Sequence, residues 1–154
     1  MPKSRKLRIY FAHPICEYGT QLEKSIVKKI SSAEWEYGIE VINPADRKYQ
    51  GEFKKYKEKH PESYMQYWLD LAKTCKICVG MPFLNGQWGM GVWAEMNAIR
   101  SCGGETYQAK TMWCSDGPKL SDLELVDIKD IEPMSVFTTQ ATLRMIKHYK
   151  EVRA

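Results

Sequence analysis

The sequence predicts an α/β protein with a single domain, in which a Rossmann-like or flavodoxin-like parallel sheet carries helices on both faces. Short β-rich runs alternate along the chain with segments whose apolar residues recur at helical spacing, and such alternation is typical of a parallel sheet. A glycine-rich turn at residues 86–91 opens a predicted helix just after an apolar run. The 154 residues suit one core and show no internal repeat, so we expect one domain over 1–154.

The first half of the chain predicts two strands and one helix. The β-rich run 7–12 is the first predicted strand, and it ends at His13-Pro14. Thr20 and Glu23 frame a capping box, after which apolar residues follow at helical spacing. Residues 39–42 are a short second strand that is broken by the next Asn-Pro pair.

The second half predicts further alternation. Residues 46–60 are polar and lysine-rich, which indicates a loop or an exposed short helix, and Pro61 suits the first turn of the next helix. Residues 105–113 predict a fourth strand, and the acidic region after it is expected to hold a short fifth strand at 123–128. A final helix is predicted from the spacing of Thr142, Met145, Ile146 and Tyr149.

Composition narrows the class of protein. Apolar residues make up 44% of the chain, charged residues 27%, and the net charge of +4 lies mostly at the two ends. No apolar run approaches the ~20 residues of a membrane span, and no basic-aromatic motif indicates nucleic-acid binding. The N-terminus lacks the apolar segment of a signal peptide, so a cytoplasmic location without membrane association is expected.

The cysteines do not predict a disulfide framework. Their number, five, is odd, and the chain has enough apolar sequence to form a core, which favours reduced thiols. Cys75 and Cys78 have CxxC spacing, but no second pair follows at the spacing of a zinc site. Since they lie at the start of an apolar run, we interpret them as buried thiols on opposite faces of a strand. No metal and no cofactor are predicted.

The segment 86–95 is the strongest functional signal. It follows the apolar run 77–81, a predicted buried strand, and it starts a helix that ends at Gly103-Gly104. Glu95 lies about one turn inside that helix. Ligands of open α/β folds bind at this kind of position, and backbone N–H groups at a helix start can hold an anion.

Loops that follow the predicted strands should converge on one edge of the sheet. Together they carry a carboxylate, a phenol, an imidazole, aromatic surface and a glycine-lined anion pocket, which suits an aromatic ligand with a sugar or phosphate attached. The candidate residues are Tyr10, His13, Pro14 and Tyr18 from the first loop, Asn43 and Asp46 from the second, and Asn85, Trp88, Gly89, Gly91 and Glu95 from the third.

Each candidate also has a structural interpretation. Glu95 could be a solvated helix carboxylate, and the glycines could serve only to pack helix on strand. His13 could be a turn residue bonded to backbone, and Trp88 could belong to the core. These alternatives stay open at the level of sequence.

Two stretches resemble the nucleoside 2-deoxyribosyltransferase superfamily. The segment 9–15, Ile-Tyr-Phe-Ala-His-Pro-Ile, is similar to the opening strand and loop of that group. The run 71–103 is similar to its pattern of a hydrophobic strand, a small-residue turn and a helix glutamate. Residues 133–136 and Thr139 are similar to a late segment of related proteins.

The resemblance implies that Glu95 is a nucleophile that attacks the anomeric carbon of a sugar and displaces the base, with Tyr10 orienting it. It also implies dimers or larger oligomers. The expected function is cleavage or transfer at the N-glycosidic bond of a nucleoside or nucleotide, and the alternative is a non-catalytic nucleotide-binding module.

Several positions differ from the pattern of the group. His13 replaces a glycine, Gly89 replaces a serine, and Cys75 replaces an aspartate. Pro82 and Phe83 occupy the region where transferases carry the aspartate that protonates the base. We therefore consider His13 as the proton donor to the departing base, with simple hydrogen bonding to sugar or backbone as the alternative.

Overall fold

The protein is described here by a computed structural model, which covers residues 6–32 and 38–133 and four helical positions near the end of the chain, 144, 147, 148 and 151. It confirms the predicted α/β class, with a five-stranded, mostly parallel sheet and helices on both faces. No helix within these residues combines the length and apolar character that crossing a bilayer requires. The residues from which the final helix was predicted, and the similar segment at 134–139, lie outside the described residues.

The sheet has the strand order β2-β1-β3-β4-β5. Its strands are β1 (Leu7–Ala12), β2 (Ile39–Ile42), β3 (Ile77–Gly80), β4 (Glu105–Cys114) and β5 (Gly117–Leu125). The first four strands are parallel to one another, and β5 pairs antiparallel with β4. This is the flavodoxin-like order with an antiparallel edge strand.

Four helices of eight or more residues connect the strands. They are α1 (Gln21–Ser32), α2 (Arg47–Lys59), α3 (Gln66–Lys73) and α4 (Met90–Ser101). The predicted capping box starts α1, because Thr20 Oγ1 accepts the N–H of Glu23. The Glu23 carboxylate in turn accepts the N–H of Gly19, one residue ahead of the expected partner.

Alternating side chains of β1 divide the core between the two faces of the sheet. Ile9 and Phe11 pack with the apolar stripe of α1. Tyr10 and Ala12 point to the opposite face, where residues of α3 and α4 cover them. The crossover after β1 therefore lies on one face of the sheet and the next crossover on the other. This reversal creates a switch point between the carboxyl ends of β1 and β3.

Residues 47–59 form helix α2, which is the helical one of the two predicted alternatives for this region. Two element predictions need correction. Pro61 lies in a turn ahead of α3, which begins only at Gln66. The fifth strand is longer than predicted and antiparallel, because only Ser115 and Asp116 separate it from β4. A parallel crossover needs about ten residues or more, so a two-residue turn forces a hairpin.

Candidate active site

A cavity of about 130 Å³ opens at the switch point, at the carboxyl ends of β1 and β3. Six of the predicted site residues line it: His13, Pro14, Tyr18, Gly89, Gly91 and Glu95. Apolar and aromatic side chains supply the remaining wall: Ile15, Pro44, Met65, Trp68, Phe83 and Val92. The expected co-location of the first loop and the glycine-rich turn is therefore observed.

Glu95 faces the interior of the protein. It shares the buried stripe of α4 with Val92 and Ile99, which lie one turn on either side and pack on the sheet. Only 8% of the residue is exposed, so the interpretation as a solvated carboxylate is wrong. The helix begins after Gly89, whose extended backbone turns the chain out of the preceding loop.

Burial changes the acidity of Glu95. Loss of solvation raises the pKa of this carboxyl to about 8, and the Tyr10 phenol opposes part of that rise. A carboxyl with a pKa near the working pH can exchange its proton during a reaction, as general acids, bases and activated nucleophiles do.

Tyr10 lies beside Glu95 and is fully buried. Burial and the neighbouring Glu95 charge hold the pKa of the phenol well above its usual value. The two groups influence each other's pKa, yet their atoms do not reach hydrogen-bond geometry. Tyr10 Oη and Glu95 Oε2 are both buried without a hydrogen-bond partner among the described residues. Buried polar atoms of this kind cost about 1–3 kcal/mol each, which points to a functional reason for keeping them.

His13 is held on both sides. Its Nδ1 lies 2.8 Å from the carbonyl oxygen of Phe11, and its Nε2 lies 2.6 Å from Glu23 Oε2. The ring also stacks on Phe11 and contacts Tyr18. Both ring nitrogens therefore lie against protein oxygen atoms, so neither is directed to a ligand. This geometry favours the interpretation of His13 as a residue hydrogen-bonded within the protein over its interpretation as a proton donor.

Glu23 is a site-associated residue that the sequence indicated only as a helix cap. Its two carboxylate oxygens reach the N–H of Gly19 and the ring of His13. A glutamate in the first turn of α1 can face the loop that joins β1 to this helix, and its position in the sequence was the signal that could have identified it. Glu23 thus joins the start of α1 to the wall of the cavity.

Besides Tyr10, which is buried beside Glu95, four predicted site residues lie outside the cavity wall. Asn43 accepts the Ala45 N–H in a turn, and Asn85 bonds the backbone and side chain of Gln87 at the surface. Trp88 belongs to the core cluster, which agrees with its structural interpretation. Asp46 precedes α2 and is exposed. Partial loss of solvation and then the charge of Glu23 raise the pKa of its carboxyl, and His13 opposes that rise.

Part of the wall comes from α3 and from the loop after β3. Trp68 and Phe83 are almost fully buried there, whereas Met65 is 39% exposed. The sequence reasoning missed them as site residues because helical spacing indicates only that a residue is apolar and inward-facing. Tyr18 was placed in the first loop, and burial together with Glu95 raises the pKa of its phenol.

The two CxxC cysteines are buried thiols, as predicted, but on one face of the sheet. Cys75 precedes β3 rather than lying in it, so the alternation expected of a strand does not separate it from Cys78. Burial raises the pKa of both thiols. Among the described residues, no cluster of three or more His, Cys, Asp or Glu side chains could hold a metal ion.

Comparison with protein-family models and with curated proteins assigns no function to this chain. No family model matches the chain, and no curated protein matches it.

Proposed function

We propose that the protein cleaves or transfers the N-glycosidic bond of a nucleoside or nucleotide, with Glu95 as the nucleophile. The observation that carries this proposal is the Glu95 carboxyl. It is buried, has no hydrogen-bond partner for Oε2 among the described residues, and lines a cavity with aromatic walls at the switch point. The resemblance of the two flanking stretches to the nucleoside 2-deoxyribosyltransferase superfamily supports the same assignment.

The reaction uses the carboxylate in two steps. A Glu95 oxygen forms an ester with the anomeric carbon as the bond from that carbon to the base nitrogen breaks. Water or a second base then attacks the same carbon and releases Glu95, which gives hydrolysis or transfer. Attack requires the ionised carboxylate, and a pKa of about 8 leaves a minority of the enzyme in that form at neutral pH.

Tyr10 is suited to orient the nucleophile. Its phenol is fully buried next to Glu95 and has no hydrogen-bond partner among the described residues. A small movement on ligand binding would let the hydroxyl donate to one carboxylate oxygen and leave the other to attack. Catalytic hydrogen bonds are often long in ligand-free structures and tighten in the complex.

A second candidate is a nucleotide-binding module without catalysis. It is favoured by the His13 geometry, because both ring nitrogens are engaged by protein oxygen atoms and neither is turned toward a departing neutral base. In that case Glu95 would accept hydrogen bonds from a ligand and form no ester.

Base release decides between the two candidates. Incubation with a panel of nucleosides and their monophosphates, followed by chromatography, should detect free base. Glu95→Gln and Glu95→Ala should slow release on the order of a thousandfold or more while circular dichroism stays unchanged. Near-normal release by folded variants excludes Glu95 as nucleophile, and ligand binding without release supports the binding module.

A further inference from the structure

We propose that the site selects N-glycosides whose base carries a fixed positive charge, such as an N-alkylated purine or a pyridinium, over neutral and phosphorylated ones. This inference rests on the proposed function and names its substrate class. Three features of the cavity carry it: the sign of its charges, its aromatic wall, and the engagement of His13.

The charged groups at the cavity favour a cation. Glu95 lines the wall, and no lysine or arginine is among the described residues that line it. The Glu23 carboxylate lies 2.6 Å from the His13 ring, and Asp46 is close enough to interact electrostatically with both residues. A phosphate would meet no lysine or arginine among the described lining residues, and the imidazole in the wall, His13, has its two nitrogens turned to Phe11 and Glu23. A cationic ring would instead gain a Coulomb attraction that burial strengthens.

The wall of the cavity suits a flat cation as well. Trp68, Phe83 and Tyr18 bring aromatic rings to the same space as Glu95. Aromatic rings attract cations through their quadrupole, most strongly where water is excluded. An apolar wall with one carboxylate therefore matches a ring that is both aromatic and positively charged.

The geometry of His13 indicates how the base leaves. A neutral base departs as an anion unless an acid protonates it, and both His13 nitrogens are committed to Phe11 and Glu23. A cationic base needs no proton. As Glu95 bonds to the anomeric carbon, the electrons of the breaking C–N bond pass to the ring nitrogen and neutralise its charge. The base leaves as a neutral molecule, and water later hydrolyses the ester to free sugar and carboxylate.

Binding of such a ligand would also activate the nucleophile. A cation beside Glu95 favours its ionised form, so binding near neutral pH should release a proton and produce the carboxylate that attacks. The groups that face Glu95 are Tyr10, Tyr18 and Cys78, whose raised pKa values keep them neutral in this range. A neutral ligand provides no comparable activation.

Binding of base fragments tests the selectivity without chemistry. Calorimetry should show that the 1-methylnicotinamide cation binds at least roughly tenfold more tightly than nicotinamide, with the same order for 7,9-dimethyladeninium over 9-methyladenine. The two pairs distinguish a pyridinium from a purinium site. The preference should collapse in Glu95→Gln and persist in Asp70→Asn, which removes a carboxylate from the exposed side of α3. Equal or tighter binding of the neutral partners overturns the inference.

Two further measurements separate this inference from the proposed function. In wild type, titration of 1-methylnicotinamide in buffers of different ionisation enthalpy should report proton release, and the absence of proton release counts against the inference even if Glu95→Gln does not fold.

The second measurement is the rate of base release, compared for each substrate with its own uncatalysed rate. The substrates are 7-methylguanosine, nicotinamide riboside, guanosine, guanosine 5′-monophosphate and their 2′-deoxy forms. Release from neutral or phosphorylated substrates without cation preference overturns the selectivity alone. Cation preference without any release overturns the glycosidic activity alone.

Discussion

The imidazole Nε2 of His13 lies 2.6 Å from the carboxylate Oε2 of Glu23, and the His13 side chain is fully enclosed. The pair joins the loop after β1 to the first turn of α1. With Nδ1 directed at the carbonyl oxygen of Phe11, the ring has no nitrogen left for a ligand. The loop is thereby fixed at one part of the wall of the cavity that Glu95 also lines.

His13→Gln tests this interpretation. Glutamine cannot replace both contacts, so Glu23 should lose its partner and the protein should lose about 1–3 kcal/mol of stability in urea denaturation. Base release should slow by the same factor for substrates with poor and with activated leaving bases. A larger loss on poor leaving bases would restore the proton-donor role. The Glu23→Gln variant and the double variant provide the control, because coupled residues give non-additive stability changes.

Activity should rise with pH. The pKa of Glu95 is raised to about 8 by burial, and only the ionised carboxylate attacks. For a neutral substrate, kcat/KM should therefore increase about tenfold per pH unit below that value and level off above it. The measurement is a kcat/KM profile from about pH 6 to pH 9.5. A profile that is already flat at neutral pH would contradict the buried nucleophile.

The contribution of Glu95 to the stability of the folded protein should fall as pH rises. The folded protein keeps a proton on Glu95 that the unfolded chain releases near its ordinary pKa of 4.5, and folded Glu95 releases it only near 8. The unfolded state thus binds fewer protons in this window, so the Glu95 contribution to stability falls as pH rises from 4.5 to 8. Glu95→Gln does not titrate. The free energy of unfolding of Glu95→Gln minus that of wild type should grow across the window, and a constant difference would contradict this.

Two glycines make a matched pair for packing. A Cβ at Gly80, the last residue of β3, would clash with Met96 Sδ inside the core, whereas a Cβ at Gly51 in α2 meets no atom of the described residues within 4 Å. Gly80→Ala should cost about 1–3 kcal/mol, since Met96 must move within a packed core. Gly51→Ala should stabilise the protein by about 0.5–1 kcal/mol. Thermal denaturation measures both, and a neutral Gly80→Ala would show that β3 and α4 are loosely packed.

Local patterns in the sequence determined much of the architecture and part of the site. The β-rich run of β1, the capping contact of Thr20 with Glu23 and the glycine-rich start of α4 depend on neighbours along the chain, and all three are found where predicted. Parallel strands joined by crossovers place their carboxyl ends at one edge. That rule brought His13 and Glu95 to one cavity before any contact was known.

Tertiary structure decided what depends on residues distant along the chain. The sequence left Glu95 equally consistent with solvent or core, and packing of α4 on the sheet settled its burial and its raised pKa. Trp68 contributes to the cavity wall because α3 packs beside α4 in the folded protein. His13 and Glu23 meet across a turn that propensities do not encode. Propensity and periodicity act over a few residues, whereas solvation and pairing of a polar group depend on whatever the whole fold places next to it.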